Sequence, residues 1–122
     1  MTQQLIIGKK KEFLYSSINS DDYNSKFFFK SILHHVICME IYENNFIKGI
    51  SFESICSNVP KIIGSRSSIQ SILNEGLHRN LYFKKQSDLD KRIKNYFLSK
   101  DFLFAINKWL DDEKSIFDEL KK

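Results

Sequence analysis

The chain has 122 residues, 42% of them apolar and 28% charged, with one proline and four glycines. This composition suits one domain with a real core and excludes a linker, a repeat array or a low-complexity segment. The net charge of +4 is unevenly spread: residues 61–100 hold nine Lys and Arg against three Asp and Glu, a local +6, which leaves −2 for the rest. One stretch of the chain is therefore suited to meet a polyanion.

The N-terminus is polar and lacks an apolar segment with a cleavage site, so the chain is expected to be cytoplasmic without a signal peptide. Residues 1–24 read as an N-terminal arm. It carries an apolar run, Leu5-Ile6-Ile7, and a basic cluster, Lys9-Lys10-Lys11, that suits flanking phosphate or plain solvent. Asp21 and Asp22 precede a helix expected over 25–44. Phe28, Ile32, Val36 and Met39 form its apolar face, and Phe29, Leu33, Ile37 and Ile41 fill much of the remainder. A helix apolar most of the way round is buried or shared with a partner. Lys30, His34, His35 and Glu40 interrupt the apolar run at 27–42, so it is not a membrane span. Ser51 then caps a short helix through Cys56, with Phe52, Ile55 and Cys56 inward, as the support helix of a helix-turn-helix.

The next helix is the most informative. Stepping 100° per residue from Ile69 gathers Ile69, Ile72, Leu73, Gly76 and Leu77 on one stripe. Ser67, Ser71, Asn74 and His78 fall opposite, and Gln70 lies on the flank. Two registers fit its start: Ser65 as cap after Gly64, or Ser67 with Gln70 as an S-x-x-Q capping box. Asn80 ends it, since Asn tolerates the left-handed conformation of a helix terminus. Short polar side chains on such a face reach base edges, and free N–H groups at the helix start suit phosphate. Arg66, at that start, suits a phosphate or a guanine edge. The helix alone fits a solvated surface equally well.

Residues 81–85 and 93–98 alternate as strands around a polar turn carrying Asp88, Asp90, Lys91 and Arg92. Arg92 suits a narrow minor groove. A carboxylate beside it repels phosphate unless it folds back, so Asp90 is expected to orient Arg92 or Lys91. A polar helix followed by a basic hairpin is how a winged helix-turn-helix reads DNA. From about 100 to 120, with Ser99 as cap, Phe102, Leu103, Ile106, Trp109, Leu110, Ile116, Phe117 and Leu120 recur at helical spacing. Such a helix, about 30 Å long, carries more apolar surface than one small core covers. Phe102, Leu103, Ile106, Leu110, Phe117 and Leu120 are therefore expected at a homodimer interface.

Ser65-Arg66-Ser67-Ser68-Ile69, then Asp90-Lys91-Arg92, then Leu98-Ser99 six residues beyond the Arg, resembles the MarR family of bacterial winged-helix regulators. The match covers roughly 50–100. It implies a mainly α fold with a small β-hairpin wing, flanked by N- and C-terminal dimerisation helices. The single domain 1–122 then divides into the arm at 1–24, the winged helix-turn-helix core at 25–99 and a C-terminal dimerisation helix at 100–122. The resemblance further implies a homodimer on pseudo-palindromic duplex DNA. Ser65, Arg66, Ser67, Ser68, Gln70, Ser71, Asn74 and His78 would face the major groove. Lys84, Lys85, Asp90, Lys91, Arg92 and Lys94 would form the wing, with Arg92 in the minor groove. The chain departs from the family at Asn80, where Gly is usual, and at Gly76, where a large apolar residue is usual. Its turn through Val59-Pro60-Lys61-Ile62-Ile63-Gly64 is also longer, which bears on the angle between the two helices.

Little points to other chemistry. Cys38 and Cys56 lie on apolar faces with no cation near in sequence and read as structural thiols rather than oxidant sensors. His34 and His35 are adjacent, so they point to different faces and make a poor metal pair. The acidic run Asp111-Asp112-Glu113 reads as a solvated face. With no P-loop, G-x-S-x-G, H-E-x-x-H or C-x-x-C, no enzyme, cofactor or metal is expected. Two functions remain: a regulator of specific duplex DNA, or a winged-helix module for protein assembly that uses the apolar helices. A small-molecule effector between the core and the dimer helices stays open, since no residue identifies a ligand.

Overall fold

The computed structural model describes residues 2–19 and 22–120, except the side chains of 119 and 120. Asp21 and the Leu120 side chain therefore lie outside the described residues. The elements run α1 (Gln3–Ile18), α2 (Tyr23–Phe28), α3 (Ile32–Asn44), β1 (Ile50–Ser51), α4 (Phe52–Asn58), α5 (Arg66–His78), β2 (Tyr82–Gln86), β3 (Lys94–Leu98) and α6 (Lys100–Leu120). The expected architecture, mainly helical with a small basic hairpin, is the one observed. No helix among the described residues is long and apolar enough to cross a membrane.

Three elements differ from the sequence expectation. The N-terminal arm is a helix: the Thr2 side chain caps α1 by accepting from the Leu5 N–H, and Phe13 packs on Trp109 of α6 with ring centroids 5.4 Å apart. The helix expected over 25–44 is two helices. Asp22 caps α2, and Ser31 caps α3 by accepting from the His34 N–H at 3.1 Å. The break lets each helix bury its own set, Phe27 and Phe28 in α2, then Leu33, Ile37, Cys38 and Ile41 in α3. Ile32 and Met39, assigned to the inward stripe, are exposed. Third, β1 adds a short antiparallel strand to the hairpin, in the order β1-β3-β2, with Ile50 opposite Tyr96 and Phe83 opposite Phe97. Ser51 ends β1 and also caps α4, as expected, by accepting from the Ser54 N–H.

The core gathers Phe27, Ile37, Cys38, Ile41, Ile55, Ile69, Leu73 and Phe102, all almost fully buried. Phe27 sits at its centre, edge-on to Phe102, Tyr82 and His34 with ring centroids 5.9, 5.8 and 5.0 Å away. This corrects the expected dimer interface. Phe102 and Ile106 are buried in the chain's own core and have no surface to offer a second subunit. The first turns of α6 roof the winged helix; its later turns are what project.

Gly76 answers a packing need. A Cβ there would enter the Tyr82 ring, so the glycine lets β2 lie against α5. The Tyr82 hydroxyl reaches on to Cys38 Sγ at 3.0 Å. Burial pushes the Cys38 thiol up to about 12, as befits an inert structural cysteine. The helix end beyond Gly76 is a Schellman motif: Asn80 stands at φ 61°, its N–H reaches Leu77 O, and the Leu81 N–H reaches Gly76 O. A polar latch holds the other side of α5. Lys30 Nζ donates to Glu75 Oε2 at 2.8 Å, and His34 Nε2 lies 3.0 Å from Oε1.

Two predictions follow from this packing. Gly76→Ala gains about 1 kcal/mol of helix propensity but forces Tyr82 aside, at about 1–3 kcal/mol for overpacking; urea unfolding should show net destabilisation. In the latch, the Lys30 hydrogen bond and then His34 hold the Glu75 carboxyl below its ordinary value of 4.5. A carboxyl lowered in the folded state contributes stability above that value and loses it as pH falls through the folded one. Glu75→Gln should therefore melt below wild type at pH 7, and the gap should close as both are taken well below pH 4.

Candidate nucleic-acid interface

The first turn of α5 settles the cap register. Ser65 Oγ accepts from the Ser68 N–H at 3.2 Å, so Ser65 is the cap and the Ser67–Gln70 box does not form. Gln70 is thereby released to the outer face, where its Nε2 donates to Asn74 Oδ1 at 3.0 Å. Ser65, Arg66, Ser67, Ser68, Ser71, Asn74 and His78 are exposed and Gln70 half-buried, while Ile69, Ile72, Leu73 and Gly76 face the core. The helical stripe read from the sequence is the buried one.

Arg66 is not free. Its Nη1 and Nη2 donate to Glu53 Oε2 and Oε1 at 2.9 and 2.6 Å, and its guanidinium lies 5.1 Å from the centroid of Phe52. Phe52 and Glu53 open α4, fourteen and thirteen residues upstream, and nothing local in the sequence links them to Arg66. Arg66 holds the Glu53 carboxyl below the usual range. It also brings a positive charge to half-buried Cys56, but burial outweighs that pull and the thiol stays raised.

In the wing, Asp90 folds back on Arg92, not on Lys91. Arg92 Nε donates to Asp90 Oδ1 at 3.1 Å and Nη2 to Oδ2 at 3.0 Å, while the Arg92 backbone N–H reaches Oδ1 at 3.0 Å. Those bonds, the side-chain ones first, hold the Asp90 carboxyl below the usual range. The Arg92 side chain nevertheless stays 90% exposed. Backbone bonds from Ser87 N to Ile93 O and from Ile93 N to Asp90 O close the turn.

Strand alternation divides the wing cations. Lys84 lies over the Tyr96 ring, and with Arg92, Lys94, Phe52 and Glu53 it lines a groove of about 340 Å³ between α4 and the hairpin. Lys85 points to the opposite face, over the stacked rings of Phe83 and Phe97. The structure thus gathers Lys84, Arg92 and Lys94 around one groove with Glu53, the partner of Arg66, sets Gln70 and Asn74 together on the outer face of α5, and turns Lys85 to the opposite face of the hairpin. Among the described residues no group of His, Cys, Asp and Glu is placed to hold a metal.

No protein-family model and no curated protein matches this chain. Solved structures do. The fold aligns with S. aureus MepR bound to ethidium bromide at a TM-score of 0.68 and 15% identity, over 99% of this chain and 79% of that one. It aligns with Streptococcus pneumoniae FabT in complex with DNA at 0.63 and 11%, over 97% and 77%. The transcriptional regulator SlyA aligns at 0.52 and 15%, over 98% and 78%. The chain therefore has the fold of the MarR-family winged-helix regulators across nearly its whole length, beyond the segment whose motifs resemble theirs.

Proposed function

We propose that this chain is a cytoplasmic transcriptional regulator that binds specific duplex DNA as a homodimer, with α5 in the major groove and the β2–β3 wing in the minor groove. The observation that carries this is the Asp90–Arg92 clamp. A carboxylate at the tip of a basic hairpin weakens attraction to phosphate, and its hydrogen bonds instead fix an exposed guanidinium. Fixing a long side chain before contact reduces the entropy lost on binding, and a minor groove narrowed by A·T-rich sequence rewards an inserted Arg. FabT and MepR, which share the fold, have been solved with DNA.

The dimer is supported by what the monomer leaves uncovered. Phe104 of α6 is 72% exposed, and α1 exposes Leu5, Ile7, Leu14, Tyr15 and Ile18. With Phe102 and Ile106 committed to the core, the interface reduces to Leu103, Leu110 and Phe117 of α6 together with α1. A small-molecule effector fits best in the notch of about 210 Å³ lined by Phe13, Leu14, His35, Trp109 and Phe117. Trp109, whose Nε1 is buried with no hydrogen-bond partner among the described residues, lines both this notch and a neighbouring cavity of about 950 Å³.

Selection of bound sequences from random duplex DNA, followed by titration over a salt series, tests this function. Arg92→Ala should weaken binding, most at A·T-rich flanks, and lower the salt slope by about one unit. Asp90→Ala should also weaken it despite the gain in positive charge; tighter binding at matched ionic strength refutes the clamp. Gln70→Ala and Asn74→Ala should relax base preference, by about 1–3 kcal/mol of discrimination for a good bidentate contact. A chain that binds no duplex at low salt returns the module to protein assembly.

Light scattering should give about twice the 14.5 kDa chain mass at micromolar concentration. Leu110→Asp or Phe117→Asp should give the monomer, because an unpaired charge buried at the interface costs several kcal/mol.

A further inference from the structure

Glu53 is the one acid among the residues that line the groove beside Lys84, Arg92 and Lys94. It lines the groove between α4 and the wing and takes two hydrogen bonds from Arg66. Its side chain is 71% exposed and that of Arg66 61%. An ion pair so exposed contributes little to stability, and the elements it joins are already anchored by buried Ile55 and Ile69. The one acid of α5, Glu75, turns inward to Lys30 and His34. Glu53 alone among these acids bonds outward, to the first residue of α5.

We propose that Glu53 is a specificity-determining residue, which holds the Arg66 guanidinium in one plane and withdraws its charge from indiscriminate phosphate contact. This inference rests on the DNA-binding function proposed above. A guanidinium has five N–H donors in a fixed fork. Glu53 takes two of them end-on, and Phe52 lies against the group at 5.1 Å, so the remaining donors keep a fixed direction. A mobile cation finds phosphate on any sequence, and that contact carries no sequence information. A held fork is rewarded only where base acceptors lie in its path. The adjacent carboxylate meanwhile repels the backbone of every duplex alike. Specificity is a difference of affinities, and penalising the wrong partner raises it as surely as favouring the right one. The wing repeats the arrangement with Asp90 and Arg92, so each of these two arginines is restrained by a carboxylate.

The test titrates the full chain with the duplex that wild type selects and with a scrambled duplex of equal length and composition, over a salt series. Glu53→Gln keeps the shape and removes the charge. It should bind the scrambled duplex about fivefold more tightly, the effect of one added cationic contact, with a salt slope steeper by about one unit. It should bind the selected duplex no more tightly than wild type, so the ratio of the two affinities falls. With Arg66→Ala already in place, Glu53→Gln should shift both affinities equally and leave the ratio alone. Equal tightening on both duplexes in the chain that keeps Arg66, or no change on either, overturns the role of Glu53 and leaves the regulator standing. A wild-type chain that binds neither duplex overturns both. Melting curves that match wild type confirm that the variants are folded.

Discussion

The fold turns on one close approach, the Tyr82 ring against the backbone of α5 at Gly76. With no Cβ between them, β2 sits a side chain's thickness closer to the helix than any other residue at 76 allows. Tyr82 then reaches three further elements: its ring meets Phe27 of α2 and Phe102 of α6, and its hydroxyl meets Cys38 of α3. The Schellman turn at Asn80 delivers the chain from α5 into β2 within the same few residues. The relative placement of the polar helix and the hairpin is therefore set by one aromatic side chain and one missing methyl group, buried where solvent cannot soften the packing.

On the outer face the governing constraint is electrostatic. The chain concentrates its positive charge on residues 61–100 and then restrains two arginines there, Arg66 by Glu53 and Arg92 by Asp90. Lysines serve differently. Lys84 lies over Tyr96, a contact that fixes no direction of its donors, and Lys94 lines the groove as a compact charge. The surface thus combines diffuse attraction from the lysines with two guanidinium groups of defined orientation. The division matches what each side chain does well: an ammonium attracts phosphate from any angle, and a planar fork discriminates.

Much of this was legible in the sequence, and what was not has identifiable causes. The buried stripe of α5, the hairpin and α6 came through because their signals are local and periodic. The cap of α5 stayed ambiguous because Ser65 and Ser67 both satisfy the chemistry, and only the folded chain shows which hydroxyl meets an N–H. Helix α1 buries no residue of its own and so carries no strong period. The break between α2 and α3 hid inside a mostly apolar run, where Lys30 and Ser31 were the local signs. Strand β1 is two residues long and exists only through its partner. The apolar stripe of α6 was read correctly, but a stripe does not say which of its residues meet the same chain, and Phe102 went to the core. Glu53 pairs with Arg66 from 13 residues away, a distance at which side-chain pairing leaves no trace in sequence.

Ser51 belongs to two elements at once. Its backbone pairs with Asn95 on β3, and its hydroxyl caps α4, whose second residue is Glu53. In mechanical terms the hairpin is propped near its tip: Asn95 lies three residues from Arg92, while the base of the hairpin is Tyr82 opposite Leu98. A load at Arg92 therefore meets the start of α4, and with it Glu53, the partner of Arg66, within a few residues. On the DNA-binding function proposed above, the two arginine clamps would then respond together, and pressing the wing into a groove would re-aim the guanidinium of α5.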